Sequence, residues 1–205
     1  MMVIALVSLC ATALLGLAVS RGYRAYRLEW HAFQLLGHRA DVDRWANLAD
    51  FLAVPVIGTL IAVSVVFGAV RHIPMRVAAF AGFAAAALLI NEHVVKPAVQ
   101  ERIGPALSFP SGHVTAVCAT ALAMWIALYP VLGRWARVST FVLGSAWTFL
   151  MGVAVVGAFW HTPLDDIGSI LLSVGVVTAG AAILGPLPAR QDPVTVVPAR
   201  VLERA

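Results

Sequence analysis

Charge is scarce in this chain. Only 12% of its 205 residues are Asp, Glu, Lys or Arg, about half the share of an ordinary soluble domain. Lysine is nearly missing: 13 of the 14 basic residues are arginine, and Lys96 is the single lysine. Cysteine is limited to Cys10 and Cys118, both inside apolar runs, which excludes a disulfide framework and reads them as inert core thiols. There is no internal repeat and no low-complexity tract. Residues 1–20 have no basic residue ahead of their apolar run and no clear cleavage site, so they are expected to be a retained first span and not a secretory signal.

What the chain has instead is hydrophobic length. Hydrophobic residues make up 61% of it and the mean hydropathy is +0.90. Several runs reach the roughly 18–20 residues that cross a bilayer as helix. The fold class expected is all-α and integral to the membrane: a six-transmembrane-helix bundle with spans at about 2–20, 46–70, 76–95, 113–132, 138–159 and 167–186. Residues 21–45 mix Arg, Trp, Tyr, Glu and His with Leu and Phe, the composition of an interfacial segment. Arg71–Met75 and Gly133–Arg137 are expected to be tight turns. One membrane domain covers residues 1–186, and a Pro-containing tail, 187–205, is expected to be flexible.

The net charge of +4 does not signal nucleic acid, because the basic residues sit in short links where headgroups account for them. The bilayer is the expected partner. With a cytoplasmic N-terminus, basic residues divide seven inside (Arg71, Arg76, Arg134, Arg137, Arg190, Arg200, Arg204) against seven outside (Arg21, Arg24, Arg27, Arg39, Arg44, Lys96, Arg102). Setting aside Lys96 and Arg102 as functional favours an external site, while the cluster after the first span pulls the other way.

Chemistry concentrates at two boundaries. Phe109-Pro110-Ser111-Gly112-His113 opens the fourth span, and Trp160-His161-Thr162-Pro163-Leu164-Asp165 follows the fifth. Two crossings separate them, so both meet the same side of the membrane. Phosphoester hydrolysis needs a nucleophile, an acid for the leaving oxygen and fixed positive charge. His161 has Asp165 at i+4, on the same face of a helical turn, where a carboxylate can orient one ring nitrogen and leave the other nucleophilic. His113 follows Ser111 and Gly112 at a helix N-terminus, a place suited to an anion. Lys96 and Arg102 are candidate clamps. The competing structural readings are that Ser111 merely caps the fourth span, that Asp165 caps the sixth, and that Lys96 and Arg102 face headgroups. Asn91, Glu92 and His93 end the third span, where they snorkel or pair with Lys96. Asp166 reads as a second helix N-terminal charge; His31, His38 and His72 read as interface residues. His161 with Asp165 and Asp166 is too thin a set for a metal, so neither metal nor cofactor is expected.

At these residues the chain resembles the type 2 phosphatidic acid phosphatase family, related in fold to the vanadium haloperoxidases. The family's second motif stands intact at Pro110, Ser111, Gly112 and His113. Its third keeps His161 and Asp165 at the family spacing. The first is altered: one residue too few separates Lys96 from Arg102, Ile103 stands where proline belongs, and Pro105 is a displaced counterpart. The Ser-Arg pair of the third motif falls on Ala154 and Val155, so its phosphate-binding arginine is missing. The resemblance implies a six-helix bundle, a phosphohistidine on His161 oriented by Asp165, His113 as acid, and Ser111 and Gly112 holding phosphate oxygens. The implied activity is a metal-independent phosphoric monoester or lipid diphosphate hydrolase with a membrane lipid phosphate as substrate, its site on the extracytoplasmic face of a bacterial cell membrane. The alternatives are a phosphotransferase using a lipid phosphate donor, and a degenerate member that binds a phospholipid or partner without turnover.

Overall fold

The computed structural model describes residues 1–23, 25–36, 41–103 and 106–185. Arg24, His38, Arg39, Pro105 and the tail 187–205, with Arg190, Arg200 and Arg204, lie outside the described residues.

Helices α1 (Met2–Ser20), α2 (Tyr26–Leu36), α3 (Val42–Val70) and α4 (Pro74–Ile90) come first. A π turn, Asn91–Val95, joins α4 to the short helix α5 (Lys96–Val99) without a break. A two-stranded hairpin follows, β1 (Arg102–Ile103) antiparallel to β2 (Ala106–Leu107), with Arg102 opposite Leu107. The chain then forms α6 (Gly112–Leu128) with a 3₁₀ turn at Tyr129–Val131, α7 (Arg134–Gly157) and α8 (Pro163–Leu184). Among the described residues, six helical stretches are long and apolar enough to cross a membrane: Met2–Ser20, Val42–Val70, Pro74–Val99, Gly112–Val131, Arg134–Gly157 and Pro163–Leu184. The chain is a multi-pass, all-α membrane protein, and α2 is the interfacial segment between its first two spans, with Trp30 and Leu35 exposed.

The boundaries shift where local chemistry sets them. The third span does not end before Lys96 but runs to Val99. Pro97 follows directly on the π turn, where the backbone ladder is already shifted by one residue and accommodates its missing N–H. The sixth starts at Pro163, not 167, because Thr162 and Asp165 form a reciprocal capping box. Cys118 is a buried core thiol, whereas Cys10 is exposed on α1 and not part of the core.

Helix α6 is central, packed against α3, α4, α7 and α8. Its buried residues include Val114, Ala119, Thr120, Ala123 and Ala127, mostly small side chains that let neighbouring backbones approach. Its C-terminal carbonyls are capped by arginines from other helices. Arg76 donates to Ile126 and Ala127 at 3.2 and 3.1 Å, Arg71 to Val131 at 3.1 Å and Arg137 to Tyr129 at 2.9 Å. These bonds satisfy acceptors that a helix end otherwise leaves open. The opposite end of α6 carries the candidate site.

Candidate active site

Ser111 begins α6. It is fully buried, and its Oγ accepts the N–H of Val114 at 3.4 Å. Its carbonyl gathers Asn91 Nδ2 at 3.2 Å, Thr115 Oγ1 at 2.8 Å and Ser169 Oγ at 2.8 Å. Its N–H donates to the carbonyl of Asp165 at 3.3 Å, so the two motifs are joined directly through backbone. Ser111 is thus a junction of the π turn, α6 and α8, and does not line the cavity in front of it. Phe109, fully buried, anchors the same loop by lying against Gly168, where a Cβ would come within 2.5 Å of its ring. The Phe109–Pro110 peptide is cis.

His161 is positioned by the end of α7. That helix closes with the N–H of Phe159 donating to Val156 at 3.0 Å and the N–H of Trp160 donating to Val155 at 3.0 Å, the Schellman pattern. Its left-handed residue is Phe159, at φ 58, where glycine is usual. A side chain there costs about 1 kcal/mol or more. The Phe159 ring stacks on Phe33 of α2, centroids 5.2 Å apart. The carbonyl of Val155 also accepts the N–H of His161 at 3.3 Å.

His161 is not on the helical turn expected from its i+4 spacing to Asp165; it precedes the α8 N-cap, Thr162. The capping box brings the pair together. The N–H of Thr162 donates to Asp165 Oδ2 at 2.9 Å, and the N–H of Asp165 to Thr162 Oγ1 at 3.3 Å. Asp165 Oδ2 lies 3.4 Å from His161 Nδ1, close enough for an ion pair, though Nδ1 makes no hydrogen bond of acceptable geometry. Asp165 is 1% exposed and His161 7%.

A cavity of about 620 Å³ opens in front of this arrangement. Lys96, Gly112, His113 and His161 line it together with Glu92, and Ala53, Leu88 and Ala116 form apolar wall. The rings of His113 and His161 are 6.5 Å apart, and His113 lies 5.3 Å from the Trp160 ring. Lys96 Nζ pairs with Glu92 Oε1 at 2.8 Å, as one of the sequence readings allowed. Arg102 stands on an exposed position of the hairpin and is not among the residues lining the cavity, although Ile103 is. Val155 is wholly buried among Val114, Val117, Met151 and Ala154, away from the cavity lining. An arginine at that position would meet this apolar cluster and not the cavity.

Sequence reasoning missed Asn91 and Ser169 as supports of Ser111, and Thr162 as the residue that holds Asp165. Their signals were faint: a buried amide late in a span, a serine four residues after Asp165, and a threonine before proline. Among the described residues no group of three or more His, Cys, Asp or Glu is placed to hold a metal ion.

No family model matches the chain, and neither a curated protein nor a solved structure compared with it does.

Proposed function

We propose that this protein is a lipid phosphate or diphosphate phosphatase of the type 2 phosphatidic acid phosphatase kind, working through a phosphohistidine on His161. The observation that carries the reading is one cavity lined by His113, His161 and Lys96, with the Asp165 carboxylate behind His161. Neutral His161, its Nδ1–H directed at Asp165, attacks phosphorus through Nε2. The bond from phosphorus to the leaving oxygen breaks, and His113 gives that oxygen a proton. Water then attacks phosphorus, His113 takes a proton from it, and the N–P bond breaks to release phosphate and neutral His161. The 3.4 Å gap to Asp165 is of the kind that closes when substrate is bound. Apolar wall at Ala53, Leu88 and Ala116 suits the chain of an amphiphile whose phosphate lies at the mouth.

The site is read as extracytoplasmic. That side follows the family resemblance: among the described residues the far end of the bundle carries Arg71, Arg76, Arg134 and Arg137 and the cavity end Arg21, Arg27, Arg44, Lys96 and Arg102, a near balance of basic residues that favours neither orientation. Phosphate release from a panel of phosphatidate, phosphatidylglycerol phosphate and polyprenyl diphosphate tests the reading. His161→Ala is expected to reduce release on the order of a thousandfold or more; near-normal release by a folded His161→Ala protein would overturn it.

One observation favours the second reading, a phospholipid binder without turnover: among the described residues Lys96 is the single Lys or Arg lining the cavity, and it is already paired with Glu92. Lipid binding by purified protein with no phosphate release from the same panel or from an amine-bearing lipid phosphomonoester would establish that alternative.

A further inference from the structure

The Glu92–Lys96 pair lies in the cavity where an incoming phosphate is expected. Glu92 Oε1 is 2.8 Å from Lys96 Nζ. A Cβ on Gly112 would lie 2.5 Å from Glu92 Oε1 and 3.4 Å from Lys96 Nζ. The carboxylate is therefore pressed against the first residue of α6, and the missing side chain of Gly112 is what lets it in. Of the first N–H groups of α6, Val114 is satisfied by Ser111 Oγ and Thr115 by the Ser111 carbonyl. Those of Gly112 and His113 belong to residues that line the cavity, where the positive end of the helix favours an anion. That place already holds one, built into the chain.

We infer that Glu92 is a specificity-determining residue that makes this cavity select phosphomonoesters carrying a cationic group of their own. This rests on the phosphatase reading, which puts the phosphate beside Lys96 and Gly112. A phosphate without a cation must either draw Lys96 away from Glu92, leaving a half-buried carboxylate unpaired, or sit beside that carboxylate and be repelled. A ligand with an ammonium close to its phosphate meets neither cost. Its phosphoryl oxygens take Lys96 and the α6 N-terminus while its ammonium takes Glu92, so one internal ion pair becomes two. The ligand class is a zwitterionic amphiphile with amine and phosphate in one headgroup.

The test uses full-length protein purified in detergent, with binding of inorganic phosphate and of phosphoethanolamine measured by calorimetry. The native protein is expected to bind phosphoethanolamine roughly tenfold or more tighter than phosphate. Glu92→Gln is expected to tighten phosphate, weaken phosphoethanolamine and abolish the preference. Glu92→Asp, which keeps the charge, is expected to retain the preference and guards against misfolding as the cause. Equal binding of the two ligands by native protein, or a preference that survives Glu92→Gln, would overturn the inference while leaving a phosphate site in place. No binding of either ligand, or binding indifferent to Lys96→Met, would overturn the phosphatase reading and the inference with it.

Discussion

Asp165 and His161 are linked through a helix cap: the Oδ2 atom that lies 3.4 Å from His161 Nδ1 also accepts the N–H of Thr162 at 2.9 Å. The capping box fixes the carboxylate, so the cap and the orienting role proposed for Asp165 would share one oxygen.

These two roles separate by mutation. Thr162→Ala removes one arm of the box and is expected to cost about 1 kcal/mol in stability with a modest loss of phosphate release. Asp165→Asn keeps an acceptor for Thr162 but removes the charge that stabilises His161, and activity is expected to fall on the order of a hundredfold or more. Thermal unfolding and release rates measured side by side check this. Equal activity losses in the two variants would argue that Asp165 serves the cap alone.

Val155→Arg is expected to weaken the protein and not to raise phosphate release. The side chain is fully buried in an apolar cluster, and an unpaired guanidinium there costs several kcal/mol. Val155 serves the site through its carbonyl, which holds Trp160 and His161. A lowered unfolding temperature with no gain in phosphate release is the expected result; a clear gain would show that the cluster opens to admit the charge.

In a background lacking Cys10 and Cys118, single cysteines at Ala106 and Phe159, both exposed at the cavity end, are expected to label from outside the cell with an impermeant thiol reagent. A cysteine at Trp135, exposed at the far end, should label only after the membrane is opened. Thr162 is a poor reporter because it is buried. The reverse pattern would put the site in the cytoplasm.

Phosphate release is expected to survive EDTA and to be inhibited by vanadate, which mimics a five-coordinate phosphoryl group at His161. Loss of activity on chelation that one divalent ion restores would require a different mechanism.

The sequence determined the six spans, because a bilayer core about 30 Å thick sets a length that apolar runs must meet. It also determined that the two motifs share a face, since two crossings return a chain to its starting side. Tertiary structure decided which residues reach the cavity. A π turn at Asn91–Val95 changes the direction of everything after it, because each added residue turns a helix by about 100°; Lys96 stands on that continued helix, where the sequence suggested a loop. The hairpin leaves Arg102 on an exposed position while Ile103 lines the cavity, a choice made by packing against neighbours and invisible in a two-residue strand. Ser111 likewise turns its carbonyl to Asn91, Thr115 and Ser169 because a buried acceptor needs donors, and those donors come from helices far apart in the chain. Apolar length is a local property that the sequence carries by itself; the rotation of a helix about its axis is settled only by what it packs against.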